Sequence, residues 1–178
     1  VNGRRRLLLV ASAALAAGGC TRVDRVEATV HWLGIDHAFG AGLVLASADG
    51  RLATVGFFAE PLKLPALEQL RSGGSVVQAL VARKLPCLML ELHFKGPGRA
   101  GFDNLERYAV TFGNLGSSPV TFNRQSRDWV KDGSIELAGE ALAGKRLLGR
   151  VRRAGATDID GTDRPYRWDL SFDAAVAA

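Results

Sequence analysis

Within this 178-residue sequence the side chains equipped for chemistry gather in two places. One is His31-Trp32-Leu33-Gly34-Ile35-Asp36-His37, where two imidazoles and a carboxylate lie close together. With His93, the third histidine of the chain, this group would offer three nitrogen ligands for zinc, or a histidine–carboxylate pair for metal-assisted hydrolysis. No two of these residues have an interval diagnostic of a zinc motif. Period-two patterning puts His31 and His93 on wet strand faces, and Asp36 and His37 in a turn opened by Gly34. Convergence therefore depends on the strand of His93 lying beside that of His31. The other place is Asp158-Ile159-Asp160-Gly161-Thr162-Asp163, whose Asp158, Asp160 and Asp163 could offer hard oxygens to calcium. The order of acids fits no EF-hand and the distal glutamate is missing. The segment reads as a metal-free acidic turn, balanced by Arg152, Arg153 and Arg164.

Other motifs fail on context. Gly139 to Arg146 has the G-x4-G-K spacing of a phosphate loop, but Arg146 stands where a magnesium-holding Ser or Thr is required. The segment that follows reads as a strand, not as the helix such a loop must open. Asp158-Ile159-Asp160-Gly161-Thr162 resembles the nucleophile motif of haloacid-dehalogenase phosphatases. No apolar strand precedes it, and too little chain follows to supply that family's lysine and magnesium ligands. No G-x-S-x-G elbow occurs, and Ser72, Ser75, Ser117 and Ser118 sit in glycine-rich turns. Trp32 and Trp168 take apolar-face positions and read as core, leaving Trp129 as the candidate exposed aromatic. No catalytic residue and no cofactor is assigned.

The first twenty residues carry more. Arg4-Arg5-Arg6 precedes an uninterrupted apolar run, 7–17, and then Gly18-Gly19-Cys20. A cationic start, an apolar stretch and small residues make an export signal. The run is shorter than the roughly 20 apolar residues of a permanent span. Leu15-Ala16-Ala17-Gly18-Gly19-Cys20 resembles the lipobox of bacterial lipoproteins, with Ala17 where that family prefers Leu. The resemblance implies cleavage before Cys20, diacylglycerol on its sulfur, and attachment to a cell-envelope membrane. Thr21, rather than Asp, after the cysteine implies the periplasmic side of the outer membrane in a Gram-negative organism.

This reading divides the chain into a signal (1–19), a lipidated N-terminus with a short tether (20–25), and a single β-rich domain (26–178). It also changes the charge. The formal net charge of +5 includes Arg4, Arg5 and Arg6, and without them 20 basic residues face 18 acidic ones. No basic cluster is interleaved with aromatics, so nucleic acid is rejected as a partner. Arg150, Arg152 and Arg153 read as the solvent face of a strand. Lipid on Cys20 would leave Cys87 as the one remaining cysteine, unable to pair within the chain. Its apolar setting, Leu85-Pro86-Cys87-Leu88-Met89-Leu90, predicts burial rather than reactivity.

Alternation of period two predicts strands at 26–32, 88–94, 107–112 and 167–173. Asp49-Gly50 between apolar runs predicts a hairpin. Asp132-Gly133 and Ala143-Gly144 frame a C-terminal three-stranded meander, and 96–101 reads as a loop. Pro65 to Arg71 reads as one short helix and 75–85 as a strand. The expected fold is all-β: an antiparallel β-sandwich or small barrel of eight or nine strands with one short helix. The expected function is that of a membrane-tethered envelope lipoprotein, binding or structural, whose partner is an envelope protein or an apolar ligand. The alternative is an envelope hydrolase using His31, Asp36, His37 and His93.

Overall fold

The computed structural model describes residues 23–61, 85–116, 119–125, 135–155 and 165–177. Cys20 and its signal, the expected helix at 65–71, all but Leu85 of the expected strand at 75–85, Trp129, the turn at Asp132-Gly133, and the acidic turn of Asp158, Asp160 and Asp163 lie outside the described residues. The described strands are β1 (Arg25–Trp32), β2 (Ile35–Phe39), β3 (Ala41–Ala46), β4 (Leu52–Phe58), β5 (Cys87–Phe94), β6 (Leu105–Gly113), β7 (Val120–Gln125), β8 (Ile135–Gly139), β9 (Arg146–Gly155) and β10 (Tyr166–Ala177). One 3-10 turn, Phe102–Asn104, precedes β6.

The fold is all-β. A first antiparallel sheet has the order β2-β1-β10-β9-β8, and a second has the order β3-β4-β5-β6-β7. They join where the last residues of β10 run parallel to β3, pairing Val176 with Val44 and Ala177 with Leu45. The sheet is therefore mixed rather than purely antiparallel, and it does not close into a barrel. The Asp49-Gly50 hairpin forms as expected, with Gly50 at φ 67°. The C-terminal meander β8-β9-β10 forms too. Two strands exceed expectation, β2 and β7. Asp36 and His37 lie in β2, not in a turn, because the reversal is completed at Leu33 and Gly34.

Alternation dictates what lies between the sheets. Val26, Ala28, Val30 and Trp32 of β1 are buried, as are Tyr166, Trp168, Leu170, Phe172, Ala174 and Val176 of β10. They meet Val55 and Phe57 of β4, Leu88, Leu90 and Leu92 of β5, and Val110 and Phe112 of β6 in one core. Each such large side chain contributes about 1.5–3 kcal/mol on burial. Rings span the gap between the sheets: Trp32 meets Phe112 at 5.2 Å, and Trp168 meets Phe122 at 5.0 Å, both edge-on. Such pairs add about 0.5–1.5 kcal/mol each. Glycines make room for them. A Cβ on Gly149 or Gly155 would strike the cross-strand ring, Phe172 or Tyr166 respectively.

Two positions depart from simple alternation. Arg153 shares the inward face of β9 with Val151, and its guanidinium lies 5.6 Å from the Tyr166 ring and 5.8 Å from that of Trp168. It is thus not on the solvent face with Arg150 and Arg152. The flat guanidinium is stabilised there by the π-faces. The start of β5 is buried on both sides, because Cys87 and Met89 pack with Phe58 on the outer face of the second sheet. Cys87 is 1% exposed, as its apolar setting predicts.

Candidate functional site

The outer face of the first sheet carries the densest polar arrangement among the described residues. Cross-strand register builds it in rows. Asp36 of β2 pairs with His31 of β1, which pairs with Arg167 of β10. His31 Nδ1 donates to Asp36 Oδ1 at 2.9 Å, and Arg167 approaches the same oxygen at 3.5 Å. That hydrogen bond from His31, helped by the charge of Arg167, holds the Asp36 carboxyl below its usual range. Two residues along, Asp169 accepts both Nε (2.8 Å) and Nη2 (2.5 Å) of Arg150, a fork-on-carboxylate geometry. The Arg150 hydrogen bonds lower the Asp169 pKa, against partial burial that raises it. Arg152 reaches Glu136 of β8 at 3.4 Å.

A histidine oriented by a carboxylate is half of an acid–base machine, and among the described residues Ser171 does not supply the other half. The serine of this face, Ser171, pairs with Glu27, four residues from the row of His31. At about 3.3 Å per residue that offset is about 13 Å, far beyond hydrogen-bond reach. Among the described residues, then, this face presents paired charges, and Ser171 is not placed to be activated by His31.

The four residues His31, Asp36, His37 and His93 are not brought together. His31 and Asp36 are on the outer face of the first sheet. His37 pairs with Val30 and so points to the inward side of edge strand β2. Its Nε2 is buried without a hydrogen-bond partner, and this burial lowers its pKa although Asp36 opposes the shift. His93 is on the outer face of the second sheet, with Nε2 3.6 Å from Glu91 and Nδ1 3.4 Å from Arg107. Sheets pack about 10 Å apart, so His31 and His93 are separated by the whole core, whereas zinc needs its ligands near 2 Å. Among the described residues no three His, Cys, Asp or Glu side chains group around a possible metal position.

Sequence reasoning missed a second constellation, at the start of the domain. Arg146, the first residue of β9, donates Nη1 to Asp24 Oδ1 at 3.1 Å and Nη2 to the Val23 carbonyl at 3.2 Å. Its Nε meets Asp173 Oδ1 at 2.5 Å, and Nη2 also reaches the Asp173 carbonyl at 2.8 Å. The Ala175 amide donates to Asp24 Oδ1 at 3.0 Å. One guanidinium thus ties the entering chain to two strands of the sheet. Only pairing knowledge could have revealed this, since Arg146 and Asp24 are 122 positions apart.

An open groove of about 460 Å³ runs between the 99–104 loop and β8, lined by Arg99, Asp103, Asn104 and Leu137 among others. Asn104 is occupied in shaping the loop. Its Oδ1 accepts from the Gly96 amide, and its Nδ2 donates to the carbonyls of Gly96 and Arg99. Among the described residues no helix is long and apolar enough to cross a membrane. No protein family, curated protein or solved structure matches the chain.

Proposed function

We propose that this chain is a lipid-anchored cell-envelope domain with a binding or structural role rather than a catalytic one. The observation that carries the reading is the sequence 4–20, a cationic and apolar signal ending in Gly18-Gly19-Cys20. The arrangement around Val23 and Asp24 supports it, because a tether under load benefits from a fixed attachment to its domain. The separation of His31 and Asp36 from His93, and of His31 from Ser171, favours binding over hydrolysis. Aromatic rings fill the space between the sheets, which favours a partner met at the surface over an apolar ligand held inside. The paired charges on the outer face of the first sheet suit an envelope protein of complementary pattern, giving specificity more than affinity.

The experiment is to express the full chain and its Cys20→Ala variant in a bacterium, fractionate the cells, and crosslink the membrane fraction. The reading expects membrane attachment that depends on Cys20 and a discrete crosslinked partner. Cys20-independent location, or hydrolytic activity lost on His31→Ala, would overturn it.

A further inference from the structure

The two hydrogen-bonding edges of β8 can be told apart. The Glu140 amide donates to the Arg146 carbonyl at 3.0 Å, so Glu140 turns its backbone groups toward β9. Alternation along an antiparallel ladder turns those of Glu136 and Ala138 the same way, and those of Ile135, Leu137 and Gly139 outward. Gly139 bears this out: its carbonyl accepts from the Ala100 amide at 2.9 Å, beside an antiparallel bridge between Arg99 and Glu140. The chain thus begins a further strand on this edge and leaves it after one bridge. It leaves because its next polar groups are engaged elsewhere. The Arg99 carbonyl accepts from Asn104 Nδ2 at 2.7 Å, and the Gly101 carbonyl from the Asn104 and Leu105 amides at 3.1 Å. That divergence opens the groove along Leu137, Ala138 and Gly139. Among the described residues the outward groups of Ile135 and Leu137 have no partner, since β8 pairs with β9 alone.

We propose that this edge of β8 is a strand-addition site, which takes an extended polypeptide segment of a partner protein antiparallel to β8. The proposal rests on the binding reading above and names the chemistry of the partner. Ile135 and Leu137 each present an N–H and a C=O, about 6.7 Å apart along the strand, and an extended backbone matches that repeat group for group. The bridge at Arg99 sets the direction, since a segment continuing its line runs antiparallel to β8. Side chains of the added strand alternate. Those on the inner side meet Ile135 and Leu137, which are half-buried against the core. Those on the outer side meet the exposed Glu136 and Ala138. The site therefore selects apolar residues at alternate positions. Glu136, the one charge of β8, is drawn across to Arg152 of β9 at 3.4 Å. This leaves the edge without the charge that blunts many exposed strands. The far wall of the groove is already shaped, because Asn104 fixes the loop at Gly96 and at Arg99, so little ordering is lost on binding.

The test uses the full chain, isotope-labelled in detergent, and as probe a short fluorescein-tagged peptide that alternates valine and threonine. Fluorescence anisotropy reads binding, and amide exchange by nuclear magnetic resonance reads which edge is covered. Saturable binding is expected, with exchange slowed at the Leu137 amide and unchanged along the other edge strand, β2. The same peptide with N-methylated amides cannot donate and should bind about tenfold more weakly. Leu137→Pro removes the outward N–H but no bond to β9, and should weaken binding about tenfold as well. Leu137→Val keeps the N–H and should bind as the parent does, with folding of both variants checked by circular dichroism. Where Leu137→Pro fails to fold, the methylated peptide and the exchange pattern decide. Binding indifferent to N-methylation, protection on β2 in place of β8, or no saturable binding would overturn the site and leave the binding reading standing. That reading fails on a separate result, the absence of any crosslinked partner in the membrane fraction.

Discussion

Arg146 spans 122 positions of sequence to hold Asp24 at 3.1 Å, and the same guanidinium holds Asp173. The Asp173 contact is partly shielded, with Arg146 25% and Asp173 23% exposed, whereas Asp24 is 54% exposed. Charge-assisted hydrogen bonds in such a setting are worth more than exposed ion pairs. Arg146→Ala is expected to destabilise the domain by about 1–2 kcal/mol in urea unfolding, since several charge-assisted bonds go at once. Arg146→Lys, a point charge without the fork, should recover part of this. No change in the unfolding midpoint on Arg146→Ala would show that the contact holds nothing.

Phe112 is where the two sheets are stitched together, with Trp32, Trp168 and Phe122 all within 5.7 Å of its ring. Phe112→Ala should lower stability by about 3–5 kcal/mol and strip the near-ultraviolet circular dichroism of the packed tryptophans. A loss below about 1 kcal/mol would mean that the core collapses around the gap or was never tightly packed.

The dispersal of the histidines has a direct readout. Zinc titrated into the folded domain should give no stoichiometric heat, and no rise in melting temperature that disappears in both His31→Ala and His93→Ala. A single saturable site abolished by either substitution would require the two outer faces to meet, contrary to the register.

Burial pushes the Cys87 thiol up from 9.0 to about 11. Its folded pKa is raised, so the unfolded chain gives up the proton first. The stabilising contribution is complete below pH 9 and is lost as pH rises toward 11, amounting to about 3 kcal/mol at most. The difference in urea midpoint between pH 8 and pH 10.5 should therefore be smaller in Cys87→Ala than in the parent. Alkylation of Cys87 at neutral pH should follow unfolding and not precede it.

Much of the fold was written in local pattern. The strict alternation of Trp168, Leu170 and Phe172 with Arg167, Asp169 and Ser171 fixes both a strand and its faces. Asp49-Gly50 fixes a hairpin. What local pattern could not hold is pairing across the chain. β2 was hidden because Ile35-Asp36-His37-Ala38-Phe39 has only one fully buried residue, Phe39, so an edge strand there looks like a polar turn. Arg153 was misplaced because a charge read alone signals solvent, whereas its inward position depends on the rings opposite, Tyr166 and Trp168. The parallel link between β10 and β3 has no sequence signature at all. For the site, His31 and His93 looked equivalent as wet-face histidines, and only the sheet order puts them on opposite sides. In local sequence Arg146 only spoils a phosphate loop; its partners lie in other strands.

Mass spectrometry of the amino-terminal peptide is the direct test of lipid on Cys20. The protein is expressed from its full sequence in a bacterium, extracted in detergent, and digested. The mature chain is expected to begin at Cys20, with diacylglycerol on its sulfur, and Cys20→Ala to abolish both the lipid and the cleavage. A chain that begins elsewhere, or begins near Cys20 with a free thiol, would contradict it.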